Sequence, residues 1–333
     1  MKKLILTIAC ILISLSGLMG FSACGNGGTG EEVYLVPIEG NGVGLMKDID
    51  YYVVPEPVAS TKVKIIENLN FSGDLQKLYG GEKGYPQAVV VAKNNLLGTE
   101  TLKKFVNELY GSREWLLSEN TQTETIVNSI SSNLTDGLEP TIKKSNLSKD
   151  VIKNCGIEFV SATDSKNEIL TFMEKFNSVS QTSFGIPQDL FFNNGDDGDA
   201  QYSKQVSVYA PDGAPALGIA KLMSENKIEN VKYEIVNANV IQTLVAGAAP
   251  EADICVLPVN VAVKILSDAK NYKLIGTLTH GNLFILSENK TYLTAENLSL
   301  LKGKRVGVVN LPSVPGLTFK LILKNNGLNY IEN

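Results

Sequence analysis

The stretch "LKGKRVGVVNLPSVPGLTFKLILKNNGL" (Leu301 to Leu328) decides the fold class of this chain. Val306 to Val309 is a short β-branched run, which is typical of a buried strand. A turn with Pro312 and Gly316 follows, and Leu317 to Leu323 then carries apolar residues at helical spacing. One strand followed by one helix is the repeating unit of an α/β domain.

The same alternation begins at Val206 and leads up to this stretch. The strand patterns "VSVYA", "VKYEIV" and "DICVLPV" alternate with predicted helices at 216–223, 240–246 and 261–266. Such alternation implies a mostly parallel sheet with helices on both faces. Residues 31–93 predict strands and turns instead, with the strands "VYLVPI", "YYVVPEP", "KVKII" and "QAVVVAK", and the part at 99–180 predicts helices.

Composition limits the classes of function. The chain has 333 residues, of which 44% are hydrophobic and 20% charged, and this length allows one large domain or two lobes. The formal net charge is −5, and His280 is the one histidine. A nucleic-acid surface needs a basic stripe, so this composition argues against one.

The first 24 residues, "MKKLILTIACILISLSGLMGFSAC", predict export and anchoring. Two lysines precede an apolar stretch that is too short for a permanent span, so residues 1–23 are expected to be a signal peptide. The tail "FSAC" resembles the lipobox of bacterial lipoproteins, in which the cysteine is diacylated, although Phe21 stands where leucine is usual. We therefore expect lipidation at Cys24, a flexible tether at 24–30, and a location on the extracytoplasmic face of the cell membrane. The alternative is an ordinary signal peptide that is cut nearby.

Little in the sequence points to catalysis. Cys155 and Cys255 are the cysteines beyond the processing site, and a disulfide between them stays open. No spacing suits a metal site, and neither a Ser-His-Asp arrangement, a phosphate loop nor a dinucleotide fingerprint can be assembled. We therefore expect no metal, no cofactor and no catalytic residues.

Five motifs together resemble a known family, the solute-binding proteins of ABC importers in the nitrate, sulfonate, taurine and thiamine-precursor branch. They are "VGLMKDIDYYVVPEPVAS", "GYPQAVVVAKNNLL", "YAPDGAPALGIAKLM", "GAAPEADICVLPVNVAV" and the opening stretch. The resemblance implies a two-lobed, type II periplasmic-binding-protein-like α/β fold, each lobe being a mostly parallel sheet flanked by helices. It also implies a small organic anion or heterocycle as ligand, an ABC permease as partner, and a monomer.

The motifs stand in a different order from that of the family, which is consistent with a circular permutation. A fusion of two related gene fragments and a sequence-assembly artefact are the alternatives. Under a permutation, Asn333 and Glu31 should lie on one lobe within about 20 Å of each other, because a few residues at roughly 3.5 Å each would have joined them. The expected division is lobe 2 at 31–89, a hinge strand and helices of lobe 1 at 90–192, a linker at 193–202, lobe 1 at 203–290 and lobe 2 at 291–333.

Ligands of open α/β sheets bind beyond the carboxyl ends of the strands, where helix N-termini begin. In lobe 1 this rule selects Asp212 with the following Gly213, Ala214 and Pro215, whose small size lets a ligand approach the backbone. Asp212 is either a helix cap or the acceptor of a ligand amine. Two asparagines after the next strands complete the predicted set of lobe 1. Asn239 is expected to be a helix cap, and Asn260 a hydrogen-bonding group at the cleft wall.

In lobe 2 the same rule selects Ser313 and Val314 as the counterparts of the Asp212 loop. The family resemblance implies that the Glu-Pro step at Glu56 lines the cleft, and Ser60 follows it. Thr279 and His280 precede "NLFILS", which is expected to cross between the lobes together with "QAVVVAK". Each of these residue types serves turn structure more often than it touches a ligand.

The leading hypothesis is a lipid-tethered receptor that captures a small solute in the cleft and presents it to an importer. An enzyme on the same scaffold and a sensory binding protein are the alternatives, since a fold does not fix a function. Neighbouring permease and ATPase genes would favour the importer, and turnover assays would test the enzyme.

Overall fold

The computed structural model describes residues 30–39, 42–44, 48–80, 84–195 and 198–333. The expected signal peptide at 1–23 and the expected lipidation at Cys24 lie outside the described residues, as does the tether apart from Gly30. Within the described ranges, no helix combines the length and apolar character that crossing a membrane requires.

The described residues form two six-stranded sheets, one in each lobe. The strands of lobe 2 are β1 (Val33–Ile38), β2 (Tyr51–Pro55), β3 (Asn70–Asp74), β10 (Leu283–Ser287), β11 (Arg305–Val309) and β12 (Tyr330–Glu332). Those of lobe 1 are β4 (Pro86–Lys93), β5 (Ile157–Ser161), β6 (Val206–Pro211), β7 (Val231–Val236), β8 (Ile254–Pro258) and β9 (Tyr272–His280).

Helices flank both sheets. They are α1 (Val58–Ile65), α2 (Leu75–Tyr79), α3 (Glu100–Tyr110), α4 (Ser112–Leu117), α5 (Thr123–Ser131), α6 (Lys149–Asn154), α7 (Ala162–Asn177), α8 (Ala214–Gly218), α9 (Ala220–Glu225), α10 (Val259–Leu266) and α11 (Val314–Asn325). The amphipathic helix predicted near the start of 99–180 is confirmed in α3, where Leu102, Phe105 and Leu109 are buried on one face.

The two sheets share one plan. Lobe 2 has the strand order β12-β1-β11-β2-β10-β3 and lobe 1 the order β5-β9-β4-β8-β6-β7. In each lobe a central strand, β11 or β6, runs parallel to both neighbours. The next strand of each sheet comes directly after a crossing between the lobes. It is β10 in lobe 2 and β4 in lobe 1, and it pairs antiparallel with β2 and β8, respectively. Lobe 1 is more mixed than the sequence predicts, because β9 and β5 also pair antiparallel.

The α/β two-lobed fold predicted from the sequence is thus confirmed, as a pair of similar sheets flanked by helices. Alternate residues of one strand bury on opposite faces: Val89 and Val91 of β4 belong to a core shared by the two lobes, whereas Val90 lies in the outer core of lobe 1. Lobe 2 has a smaller outer core of its own, which includes Val54 of β2.

Two chain segments cross between the lobes side by side. One enters β4 through Gly84 and Tyr85, and the other leaves β9 through Gly281 and Asn282. The N–H of Gly281 donates to the carbonyl of Tyr85 at 2.9 Å, so the crossings are hydrogen-bonded to each other. Tyr85 is fully buried and stacks on Phe172 of α7 with ring centroids 5.6 Å apart.

Three local predictions are wrong. "KVKII" (62–66) belongs mainly to α1 and not to a strand. Its short apolar pattern fits either structure, and its place after β2 with polar residues at its start favours the helix. The part at 99–180 also contains the strand β5. The predicted helix at 240–246 is only a short 3-10 turn, Ile241–Leu244.

The lobe boundary also differs from the expected one near residue 290. Strand β10 pairs with β2 and β3 and therefore belongs to lobe 2, so the crossing lies at Gly281 and Asn282. Strand β12 lies beside β1 in parallel, and the N–H of Asn333 donates to the carbonyl of Leu35 at 2.9 Å. Asn333 and Glu31 are thus on the same lobe, and the permuted order of the halves stays a prediction about how the chain arose.

Candidate ligand-binding cleft

A cavity of about 180 Å³ lies between the lobes, where the carboxyl ends of their strands face each other. Strand ends of lobe 2 contribute Glu56 and Ser313, and those of lobe 1 contribute Asp212 and Pro258. This is the place where open α/β sheets bind ligands. Eight of the predicted residues line it: Glu56, Asp212, Gly213, Ala214, Pro215, Thr279, Ser313 and Val314.

Asp212 connects the loop after β6 to the segment around Thr141, which no sequence pattern selects. One carboxylate oxygen accepts from the N–H of Gly213 at 2.8 Å and the other from the N–H of Thr141 at 2.6 Å. Helix α8 begins after Gly213 and has no side-chain cap. Asp212 is therefore not the helix cap that one interpretation of the sequence expected. Its carboxylate instead holds the backbone of Thr141, and with it the 141 segment, beside the cavity.

Glu56 is buried, with 1% of its surface exposed, at the start of α1. Its carboxylate accepts from the N–H of Ser60 at 3.0 Å and from the Ser60 hydroxyl at 2.6 Å. These bonds satisfy donors of the first helical turn, where negative charge is stabilised. Ser60 thus contacts the cleft carboxylate, and Glu56 lines the cavity as the family resemblance implied.

Ser313 and Asn260 meet across the lobes. The Ser313 hydroxyl, before α11 of lobe 2, donates to Asn260 Oδ1 in α10 of lobe 1 at 3.3 Å. Asn260 is 2% exposed and is not among the residues that line the cavity. Ser313 and Asn260, which were both predicted to line the cleft, therefore contact each other across the lobes.

Two further hydrogen bonds join the lobes. Asn146 Nδ2 donates to the Thr61 hydroxyl of α1 at 2.9 Å, and Asn154 Nδ2 donates to Glu56 Oε1 at 3.4 Å. Both asparagines belong to lobe 1 and both acceptors to lobe 2. These bonds form only when the lobes are close together, so they favour the closed cleft.

Thr279 and His280 point in different directions, although they are neighbours in β9. Thr279 lines the cavity, and its hydroxyl accepts from the N–H of Ala88 at 3.2 Å. His280 lines a separate hollow of about 360 Å³, together with Lys77 and Arg113. Successive strand residues face opposite sides of a sheet, so Thr279 and His280 do not both line the cavity, as the sequence analysis had expected.

Asn239 lies in an exposed turn and not among the cavity residues. Its backbone N–H donates to Asn237 Oδ1 at 2.9 Å, and no regular helix follows for it to cap. The neighbouring residue Ala238 does line the cavity. The loop was thus placed correctly, and the residue within it was not.

Two amide side chains of the lining were missed by the sequence analysis, Gln87 in β4 and Asn282 at the crossing. Gln87 Oε1 and Asn282 Oδ1 are buried and accept no hydrogen bond, and Asn282 is only 3% exposed. An unpaired buried acceptor costs about 1–3 kcal/mol. No sequence pattern marks these residues, because one lies inside a strand and the other in a connection.

Cys155 and Cys255 are both free and buried. Burial raises the pKa of the Cys155 thiol well above its ordinary value, and the negative charge of Glu56 raises it further. Burial also raises the pKa of the Cys255 thiol. The disulfide that the sequence left open is therefore absent, and neither thiol is ionised near neutral pH.

Neither a protein-family model nor a curated protein matches this chain. Among solved structures, it is similar to the oligopeptide-binding protein AppA from Bacillus subtilis in complex with a nonapeptide, with 12% identity and a TM-score of 0.27. The match covers 80% of this chain and 56% of that one, so the chain spans little more than half of that protein's length. The assignment of function therefore rests on the cleft.

Proposed function

We propose that this chain is a solute-binding lipoprotein, held by lipidated Cys24 on the extracytoplasmic face of the cell membrane, that delivers a small solute to an ABC importer. The observation that carries the proposal is the cavity between the lobes, which both lobes line through the loops at their strand ends. Contacts from both sides mean that a bound ligand stabilises the closed arrangement.

The size of the cavity supports a small solute. Its volume of about 180 Å³ lies below the roughly 300–1,000 Å³ that is usual for drug-sized ligands. The family resemblance allows inorganic anions, sulfonates and heterocycles such as pyrimidines, and all of these are small enough.

The cavity lining supports binding without turnover. Catalysis by a histidine base would need His280 at the ligand, but His280 lines the separate hollow. Three hydroxyl residues line the cavity, Thr141, Thr279 and Ser313, but the described lining contains no histidine, and the Ser313 hydroxyl donates to Asn260 instead. We therefore propose a binding protein and not an enzyme.

The test compares the protein with a variant whose cavity is filled. Ala238 is exposed and lines the cavity, so Ala238→Trp should block the cleft with little effect on the core. Ala246→Trp in the same loop region is the matched control, because Ala246 is exposed and does not line the cavity.

Each protein is incubated with the small molecules extracted from cells, passed through an ultrafilter, denatured and analysed by mass spectrometry. We expect one compound to be retained by the wild type and by Ala246→Trp, and to be lost from Ala238→Trp. Equal retention by all three proteins, or none by any, would contradict ligand binding in this cleft. Uptake of the retained compound should then fail in cells that lack the gene.

A further inference from the structure

One side chain of lobe 2 holds both crossings between the lobes. Gln76 lies in the first turn of α2, and its Oε1 accepts from the backbone N–H of Leu283 at 3.0 Å and from the Tyr85 hydroxyl at 3.3 Å. Leu283 follows one crossing directly, and Tyr85 belongs to the other. A single amide oxygen therefore fixes the two crossings relative to lobe 2.

The backbone of the crossings fits closely around this side chain. Gly84 and Gly281 have φ angles of +83° and +45°, in the left-handed region that favours glycine. A β-carbon on Gly281 would clash with Gln76 Cγ, and one on Gly84 would lie 3.2 Å from the same atom. The two glycines thus let both crossings pack directly on Gln76.

The groups that Gln76 joins are themselves held in place, one in each lobe. On the side of lobe 2, the Asp74 carboxylate caps α2 and accepts from the N–H of Gln76 at 2.9 Å. Tyr85 is fully buried, and its ring stacks on Phe172 of lobe 1 and meets Tyr79 of α2 edge to face, with centroids 5.6 and 5.3 Å apart. Gln76 therefore links a fixed helix start in lobe 2 to a ring that packs into lobe 1.

Each crossing carries a cavity residue next to the group that Gln76 binds. Gln87 comes two residues after Tyr85, and Asn282 directly precedes the residue whose N–H donates to Gln76. Both line the cavity, whereas Gln76 does not. The carbonyl of Asn282 also accepts from the N–H of Glu56, a third lining residue, at 2.9 Å. A shift of the crossings at Gln76 would therefore displace the cavity lining from both sides.

We propose that Gln76 is a positioning residue for solute binding. Its amide oxygen sets the angle at which both crossings leave lobe 2, and it thereby fixes the arrangement of the lobes and the placement of Gln87 and Asn282 in the cavity. Lobe movement and the cavity lining are coupled, because the same two hydrogen bonds determine both. This inference rests on the proposed function, but the lobe arrangement is measured on the empty protein and needs no solute.

The first experiment measures the distance between the lobes without solute. Gln76→Met keeps the length of the side chain and removes the acceptor, whereas Gln76→Glu keeps an acceptor at the same place and is the matched control. Spin labels are attached through Lys64→Cys in lobe 2 and Glu119→Cys in lobe 1, both at exposed positions. Cys155 and Cys255 are buried and should stay unlabelled.

Pulsed electron paramagnetic resonance then gives the distribution of distances between the two labels. We expect one narrow distribution for the wild type and for Gln76→Glu, and a broader one for Gln76→Met, because its crossings have lost their common anchor. A wild-type distribution in Gln76→Met would overturn the proposal. Equal broadening in Gln76→Glu would overturn it too, since that variant retains the acceptor.

The second experiment measures the affinity for the compound that the wild type retains from the cell extract. Gln76→Met should bind it about tenfold more weakly, and Gln76→Glu should stay within about twofold of the wild type. Tyr85→Phe removes one of the two hydrogen bonds and keeps the stacking on Phe172, so its affinity should fall by about threefold. Unchanged affinity in Gln76→Met would overturn the positioning role.

A variant that lowers stability elsewhere separates positioning from a general loss of stability. Lys149 Nζ donates to carbonyls of the 116–121 segment in lobe 1, and it contacts neither crossing. Lys149→Met should lower the melting temperature and leave the affinity unchanged. An equal loss of affinity in Lys149→Met and Gln76→Met would overturn the positioning role. If the wild type retains no compound, the proposed function fails, and the distance measurement still decides the role of Gln76.

Discussion

Replacement of Asp212 by alanine measures how firmly the cleft loop of lobe 1 is held. The change removes two acceptors, one for the N–H of Gly213 at 2.8 Å and one for the N–H of Thr141 at 2.6 Å. Hydrogen bonds to a charged group contribute about 1.5–3 kcal/mol each. The bond to Gly213 joins neighbouring residues and Asp212 is half-buried, so we expect a total loss of about 3 kcal/mol, near the lower end of the sum.

The assay is thermal unfolding of the empty protein, followed by circular dichroism. Unfolding entropy of about 2.1 cal/mol/K per residue converts this loss into a decrease of about 5 °C in melting temperature for a chain of this size. Asp136→Ala, in an exposed turn near the same segment, is the control and should melt within about 1 °C of the wild type. Asp212→Asn keeps one acceptor and should show about half of the decrease. A change below about 1 °C for Asp212→Ala would refute the role of its carboxylate in holding the 141 segment.

Further predictions concern the two thiols, the half-buried Lys149 and Gly316 in the first turn of α11. Cys155 and Cys255 should stay unlabelled by a thiol reagent at pH 8 in the folded protein and become labelled in urea, because burial raises the pKa of both thiols. Peptide mapping measures the labelling, and labelling of the folded protein would contradict the burial. Lys149→Met should cost about 2–3 kcal/mol in urea unfolding, since Lys149 Nζ donates to three carbonyls of the 116–121 segment; an unchanged midpoint would contradict this role. Gly316→Ala should lower the melting temperature and the ligand affinity together, because the added methyl group would lie 1.9 Å from the backbone oxygen of Leu311, before α11. Wild-type values of both would show that the backbone adapts to the methyl group.

Strands and strand-end loops were predictable because their signals are local. The β-branched runs of β4, β8 and β11 each became a buried strand, and the loop at Asp212 reached the cavity as the strand-end rule requires. The pattern "KVKII" failed because short apolar runs fit a strand or a helix equally well, and its position after β2 decided for α1.

Side-chain direction and pairing across the lobes were not predictable. His280 points away from the cavity because it alternates with Thr279, and this depends on the register of β9 against β4. Gln87 and Asn282 became cavity residues only when both crossings came together. Such contacts are non-local, so no short stretch of the sequence encodes them.

The most direct measurement is a crystal structure of the protein grown with the compound that it retains from the small-molecule extract. We expect density for that compound between the lobes, in contact with the loop at Asp212 of lobe 1 and the loop at Ser313 of lobe 2. Density for the compound outside the cavity between Asp212 and Ser313 would contradict ligand binding in this cleft.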